Sequence, residues 1–187
     1  MIEKIKEDLL NSIGTKRYEH SLRVMDEANK LAEMYGVDQA KASIAGLLHD
    51  CGRLKEKSYL LKKAQDFGII LEDVYAKSDN LLHAYLGAEI AKQEYNIDDI
   101  DILNSIRYHT TGRENMSKLE KIIYMADYIE PGRDFDGIDK IRELCYKDLD
   151  KSLIRSIDNT IVYIIKRGLI IHEDTIKARN FLLFSLE

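Results

Sequence analysis

Charged and apolar residues alternate along this chain at the roughly 3.6-residue spacing of a helix, not the two-residue spacing of a strand, and the breaks between periodic stretches are single Gly, Asp, Asn or Ser positions. A chain patterned this way can bury its apolar faces only by packing helix on helix. The spacing predicts helices near 2–13, 15–35, 38–51, 58–67, 80–95, 98–109, 117–130, 138–147, 149–167 and 174–184. Gly14, Gly36 and Gly168 follow periodic stretches where a left-handed C-terminal residue is wanted, and Asp38 and Asp98 stand where N-caps belong. Ser117-Lys118-Leu119-Glu120 reads as a capping box opening a segment that ends before Pro131, the sole proline. No linker, repeat or low-complexity tract interrupts the pattern, so an all-α, single-domain helical bundle over 1–187 is expected.

Composition narrows the function classes. With 187 residues, 45% of them hydrophobic and 33% charged, the chain is long and apolar enough for a core that needs no disulfide or zinc staple. Its net charge of −5 argues against general nucleic-acid binding. Apolar runs such as Ile122 to Ala126 are far too short to span a bilayer, and the acidic, weakly apolar start does not resemble a signal peptide. A cytoplasmic protein without membrane partners is expected. Cys51 and Cys145 form no C-x-x-C motif and read as reduced thiols. The apolar stretch Phe181-Leu182-Leu183-Phe184 could serve a homodimer interface.

No Gly-Lys pair exists, which excludes a P-loop, and G-x-G-x-x-G, H-E-x-x-H, G-x-S-x-G and paired-Cys zinc patterns are absent. What stands out is a set of histidines and aspartates inside apolar helical stretches: His20, His49-Asp50, His83, His109 and Asp127. On a helical wheel His20 falls at the edge of the apolar arc with Val24 and Leu31, opposite Glu19, Arg23, Glu27 and Lys30. Asp127, within Ile122-Ile123-Tyr124-Met125-Ala126-Asp127-Tyr128-Ile129, would be buried, and an ionised carboxylate there costs several kcal/mol unless compensated. A buried Asp–Arg pair is one answer. A divalent metal is the favoured one, because it satisfies Asp50, Asp127 and neutral imidazoles together, and mixed N/O ligation suits Fe, Mn, Co, Ni or Zn better than Ca or Mg. If His49 and Asp50 lie on one helix they diverge by roughly 100° and grip an ion from a cavity rim, leaving it open to water and a phosphoryl oxygen.

In the order His20, His49-Asp50, Asp127 these residues resemble the H…HD…D signature of the HD superfamily of metal-dependent phosphohydrolases. The wording around them is more specific. Lys16-Arg17-Tyr18-Glu19-His20-Ser21, Leu47-Leu48-His49-Asp50, Ile106-Arg107-Tyr108-His109-Thr110-Thr111-Gly112, Lys121 to Arg133 and Thr175-Ile176-Lys177-Ala178-Arg179-Asn180 are together similar to the YqeK family of bacterial HD proteins, from near residue 16 to near residue 183. The resemblance implies symmetrical hydrolysis of diadenosine tetraphosphate into two ADP, with iron as the metal. It implies His20, His49, Asp50 and Asp127 as metal ligands, with His83 and His109 beside the phosphates. Arg53 stands where the HD motif is often followed by Lys; its planar donor keeps the charge.

Several roles follow as expectations. Asp50 could accept the proton of the attacking water, while His83 or His109 could protonate the leaving phosphate or hold a second metal. Arg23, Arg53, His83, His109, Thr110 and Arg133 are candidates for binding phosphates. Arg133, after Pro131-Gly132, can turn back into a cleft. His172 is not expected to ligate metal, but the connector Ile170, Ile171, His172, Glu173, Asp174 and Thr175 could offer groups to a nucleobase. Cys51 reads as a packing residue. Two other functions fit the same residues: an HD phosphohydrolase of another nucleotide, and a non-catalytic nucleotide-sensing module.

Overall fold

The computed structural model describes residues 2–54, 62–63, 65–67 and 79–186. Among the described residues the chain forms nine helices and no strand, as the periodicity requires: α1 (Ile2–Ile13), α2 (Thr15–Tyr35), α3 (Gln39–Leu48), α4 (Asp79–Glu94), α5 (Ile100–Arg107), α6 (Lys118–Ile129), α7 (Ile138–Cys145), α8 (Leu149–Lys166) and α9 (Glu173–Phe184). The helix expected over 58–67 lies largely outside the described residues. No helix among the described residues is long and apolar enough to cross a membrane.

The caps explain where most helices begin. Asp38 accepts from the Ala40 and Lys41 amides at the start of α3. The capping box at α6 is formed in both directions, Glu120 N donating to Ser117 Oγ at 3.1 Å and Ser117 N to Glu120 Oε1 at 3.3 Å. Gly36 adopts the left-handed conformation that closes α2. Two expectations need correction. Asp99, not Asp98, caps α5, accepting from Asp101 N and Ile102 N. Gly14 has the positive φ that favours glycine, 83°, but its ψ of 159° is not left-handed helical, and it stands at the N-cap of α2 instead of closing α1 as a left-handed C-cap.

A third correction touches the chemistry. The helix expected over 38–51 stops at Leu48, and the amides of Cys51 and Arg53 turn back onto the carbonyls of Leu48 and Asp50. His49-Asp50 therefore sits in a tight turn at the end of α3 and not on a continuous helix. His109 likewise follows Tyr108, the C-cap of α5. Helix ends leave side chains freer to converge than helix middles do.

α6 is the central helix. It buries Leu119, Ile122, Ile123, Tyr124, Met125, Ala126 and Ile129, too many directions for a one-faced helix, because it packs against α2, α3, α5 and α8. Two glycines set the crossings that matter. At Gly46 a Cβ would stand 2.9 Å from Met25 Cα, so α3 can lie directly on α2 and bring His49 to His20. At Gly52 a Cβ would overlap the His83 carbonyl oxygen, so α4 rests on the turn that carries Asp50. In α9, Leu182 enters the core while Phe181, Leu183 and Phe184 remain exposed.

Candidate metal centre

Six side chains from five places in the chain meet in one cavity: His20 from α2, His49 and Asp50 from the turn after α3, His83 from α4, His109 after α5 and Asp127 near the end of α6. The four histidines and Asp50 are buried. Asp127, expected to be buried, is on the rim, its side chain 20% exposed.

The hydrogen bonds decide which imidazole nitrogen faces inward. His49 Nδ1 donates to the Gly46 carbonyl at 2.7 Å, and His109 Nδ1 to the Ile106 carbonyl at 2.7 Å. His20 Nδ1 lies 3.1 Å from Glu130 Oε1 and donates to that carboxylate. Carbonyl and carboxylate oxygens only accept, so each of these rings carries a proton on Nδ1, and in the metal-binding form its lone pair is on Nε2. His20 and His49 then present Nε2 lone pairs to each other at 3.3 Å. Two acceptors at that distance repel unless a cation lies between or beside them. Burial pushes the His49 and His83 imidazoles down to about 4, so neither of these two rings supplies a positive charge at neutral pH.

The carboxylates complete the donor set. His20 Nε2 is 3.0 Å from Asp127 Oδ1 and 3.9 Å from Asp50 Oδ2, and His49 Nε2 is 3.6 Å from the same Asp50 oxygen. The other Asp50 oxygen, Oδ1, lies 3.1 Å from His83 Nε2 and 3.7 Å from His109 Nε2, while those two nitrogens are 3.1 Å apart. Asp50 thus divides its oxygens between two pairs of imidazoles. Burial by itself would raise its carboxyl, yet it lies well below the usual carboxylate range and is ionised. Burial would raise Asp127 too, and the Arg133 guanidinium beside it holds it low. The inward nitrogens and carboxylate oxygens form three overlapping triads, His20 with His49 and Asp50, His49 with His109 and Asp127, and Asp50 with His83 and His109, each within 4.8 Å; that is the donor chemistry of a divalent first-row metal, and the residues present fit such an ion.

The Asp–Arg pairing weighed as the alternative is also present, as a surround to the histidines. Arg17 Nη1 reaches Asp50 Oδ2 at 2.9 Å, Arg53 Nε reaches Asp50 Oδ1 at 2.8 Å, and Arg133 pairs with Asp127. Arg23 Nε donates to Glu130 Oε2 at 2.6 Å. The Thr110 hydroxyl oxygen is buried with no hydrogen-bond partner among the described residues, and it borders the cleft next to His109. Ile170 lines a cleft with Arg53, Thr110 and Arg133. His172 caps α9, accepting from Asp174 N at 3.2 Å, Glu173 pairs with Lys177, Thr175 is buried, and Ile171 is half-buried between them. The Cys51 thiol is buried and raised by that burial and by Asp50, which keeps it protonated, and it donates to the Gly87 carbonyl.

Two residues of this site escaped sequence reasoning. Glu130 is 2% exposed and accepts from His20 Nδ1, Arg23 Nε and the Gly132 amide, the last at 2.6 Å. Burial would raise its carboxyl, but those donors hold it low. Its position as the C-cap of α6, three residues after Asp127 and just before Pro131-Gly132, was the available signal. Arg17 lies three residues before His20, again on one face.

Comparison with known proteins agrees with this geometry. The HD domain family model matches residues 17–132. A protein of Halalkalibacterium halodurans called symmetrical bis(5'-nucleosyl)-tetraphosphatase is 42% identical over 167 residues, covering 89% of each chain. A protein of the same description from Staphylococcus aureus is 38% identical over 190 residues, covering 100% of this chain and 96% of its own. The crystal structure of a predicted HD superfamily hydrolase from Clostridium acetobutylicum, described as involved in NAD metabolism, superposes with a TM-score of 0.94 at 48% identity, over 99% of this chain and 98% of that one.

Proposed function

The chain belongs to the HD domain family and, within it, to the symmetrical bis(5'-nucleosyl)-tetraphosphatases, and from that membership we propose that it hydrolyses diadenosine tetraphosphate with water into two ADP. The observation that carries the reading is the convergence of inward-facing imidazoles and two ionised aspartates beside an arginine-lined cleft. His20, His49, Asp50 and Asp127 hold the metal, which we assign as iron. Because Asp50 presents its second oxygen to His83 and His109, those three groups are suited to a second ion.

When bound, the metal supplies Lewis-acid polarisation of a phosphoryl oxygen and a water of lowered pKa. The remaining work falls to the chain's own groups. Asp50, ionised and fixed by Arg17 and Arg53, accepts a proton from the attacking water. Arg133 and Arg53 stabilise charge that builds on the phosphoryl oxygens, and the unpartnered Thr110 hydroxyl donates to one of them. His109, whose Nδ1 proton is locked on a carbonyl, keeps Nε2 aimed at the reacting region. His83, kept neutral by burial, and His109, whose proton is held on Nδ1, have none to spare for the departing diphosphate, so of their two expected roles the holding of a second ion is the one their protonation favours. Arg23 acts through Glu130 rather than on phosphate.

Product analysis tests the proposal: diadenosine tetraphosphate should yield ADP alone, and AMP with ATP, or no turnover while another nucleotide is consumed, would reject it. Elemental analysis of anaerobically purified protein should find iron, and His49→Ala should lose both metal and activity. A His49→Ala protein that loses metal yet keeps full activity would remove the metal from the chemistry.

A further inference from the structure

Two clefts adjoin the metal centre, and both are lined by large apolar side chains that the fold leaves in solvent. The first, of 590 Å³, lies between Tyr128 and Phe135 and the face of α8 that carries Asn159 and Tyr163. The second, of 510 Å³, lies between Arg53 and Leu81 and the end of α8 at Leu169 and Ile170. Arg133 and Thr160 line both of them, and also a smaller pocket of 230 Å³ that reaches His109 and Asp127. Each large cleft is within the roughly 300–1,000 Å³ of small-molecule sites.

The exposure of these side chains needs a cause. Phe135 is 38% exposed, Tyr163 55% and Leu169 53%, and each lines a cleft that also holds Arg133. Adjoining apolar groups left in water next to a catalytic cavity mark a ligand surface. Phe135 is also held still: its ring meets Tyr128 edge to face, centroids 5.4 Å apart at 82°, and Asn159 Nδ2 reaches Tyr128 Oη at 3.5 Å. A ring fixed on one side and exposed on the other is a preformed stacking platform for a purine.

We propose that the two clefts are paired nucleoside sites, one for each end of a dinucleoside polyphosphate, with the phosphate chain crossing between them past Arg133 and Thr160. The assignment rests on the hydrolase reading above and extends it: the Phe135 cleft takes one base and the Leu169–Ile170 cleft takes the other. It explains a symmetrical cut by position, since a chain anchored at both ends places its middle over the pocket that reaches Asp127 and His109. Hydrolysis then leaves one nucleoside diphosphate in each cleft.

The test counts ADP sites on the purified full chain by equilibrium dialysis and measures kinetics with diadenosine tetraphosphate. Wild type should bind two ADP per chain, and Phe135→Ala and Leu169→Ala one each. Either substitution should raise KM for diadenosine tetraphosphate roughly tenfold with kcat within about twofold, as loss of one stacked or packed base predicts. The double variant should raise KM roughly a hundredfold, because one substrate spans both clefts. Both side chains are partly exposed, so truncation spares the core, and an unchanged melting temperature checks this. Wild type that makes ADP yet binds only one, or Phe135→Ala with unchanged KM, overturns the paired sites alone. Wild type that makes no ADP from diadenosine tetraphosphate overturns the hydrolase reading with them.

Discussion

Gly52 is where packing and chemistry meet, and Gly52→Ala tests the link. An added Cβ would overlap the His83 carbonyl oxygen and stand 2.8 Å from Gly87 N and 3.0 Å from His83 C. All three are backbone atoms of α4, so no side chain can yield, and the helix must withdraw by about 1.4 Å to restore contacts near 3.5 Å. Forced overpacking of this kind costs about 1–3 kcal/mol. With a urea slope of about 2 kcal/mol per molar, the unfolding midpoint should fall by roughly 0.5–1.5 M. The same retreat carries His83 away from Asp50 Oδ1, now 3.1 Å from its Nε2. A 1 Å misplacement at a reacting centre costs roughly a hundredfold, so kcat/KM should fall by about that factor. Gly87→Ala is the matched control. There the nearest atoms are Ile106 Cγ2 at 3.3 Å and Cys51 Sγ and Gly52 N at 3.4 Å, and the position is inside α4, where Ala is favoured over Gly by roughly 0.5–1 kcal/mol. Its midpoint should stay within about 0.5 M of wild type, about 1 kcal/mol at that slope. An unshifted Gly52→Ala, or equal losses in both variants, would refute the claim that this crossing sets the site.

Glu130→Gln should weaken metal binding roughly 10- to 100-fold in a competitive chelator titration, because an amide cannot accept from His20, Arg23 and Gly132 together and no longer holds the His20 proton on Nδ1; unaltered affinity would show that Glu130 does not orient the ligand. In metal-free protein, thermal melts should fall as pH drops from about 6.5 to about 4. His49 and His83 titrate near 4 in the fold and near 6.5 when unfolded, so the unfolded chain takes protons first; the stability they contribute is complete above the unfolded value and lost through the folded one, up to roughly 3 kcal/mol each. Asp50 and Asp127, held below the usual range, extend the loss to lower pH. A flat melting temperature over that interval would show that the imidazoles are not buried in neutral form.

Much of this protein is written in local order. Apolar periodicity determines where α1, α2, α6 and α8 run, since a helix's buried face needs only residues three and four apart. Ser117-x-x-Glu120 and Asp38 specify their helix starts because a cap's partners are two or three residues away. The identity of the chemical residues was legible too: histidines and aspartates in apolar surroundings are costly enough to need a reason, and the HD wording supplied one. What the tertiary structure decided is everything that depends on distance in space. That Asp50 splits its oxygens between two imidazole pairs arises where backbones meet at Gly46 and Gly52, and that Glu130 fixes His20 from 110 residues away arises where the end of α6 meets α2. The paired clefts belong to the same class, since Phe135 and Leu169 become neighbours of one cavity only after α6 and α8 pack. Periodicity says which side of a helix faces inward; the closeness of two backbones says what that side will meet.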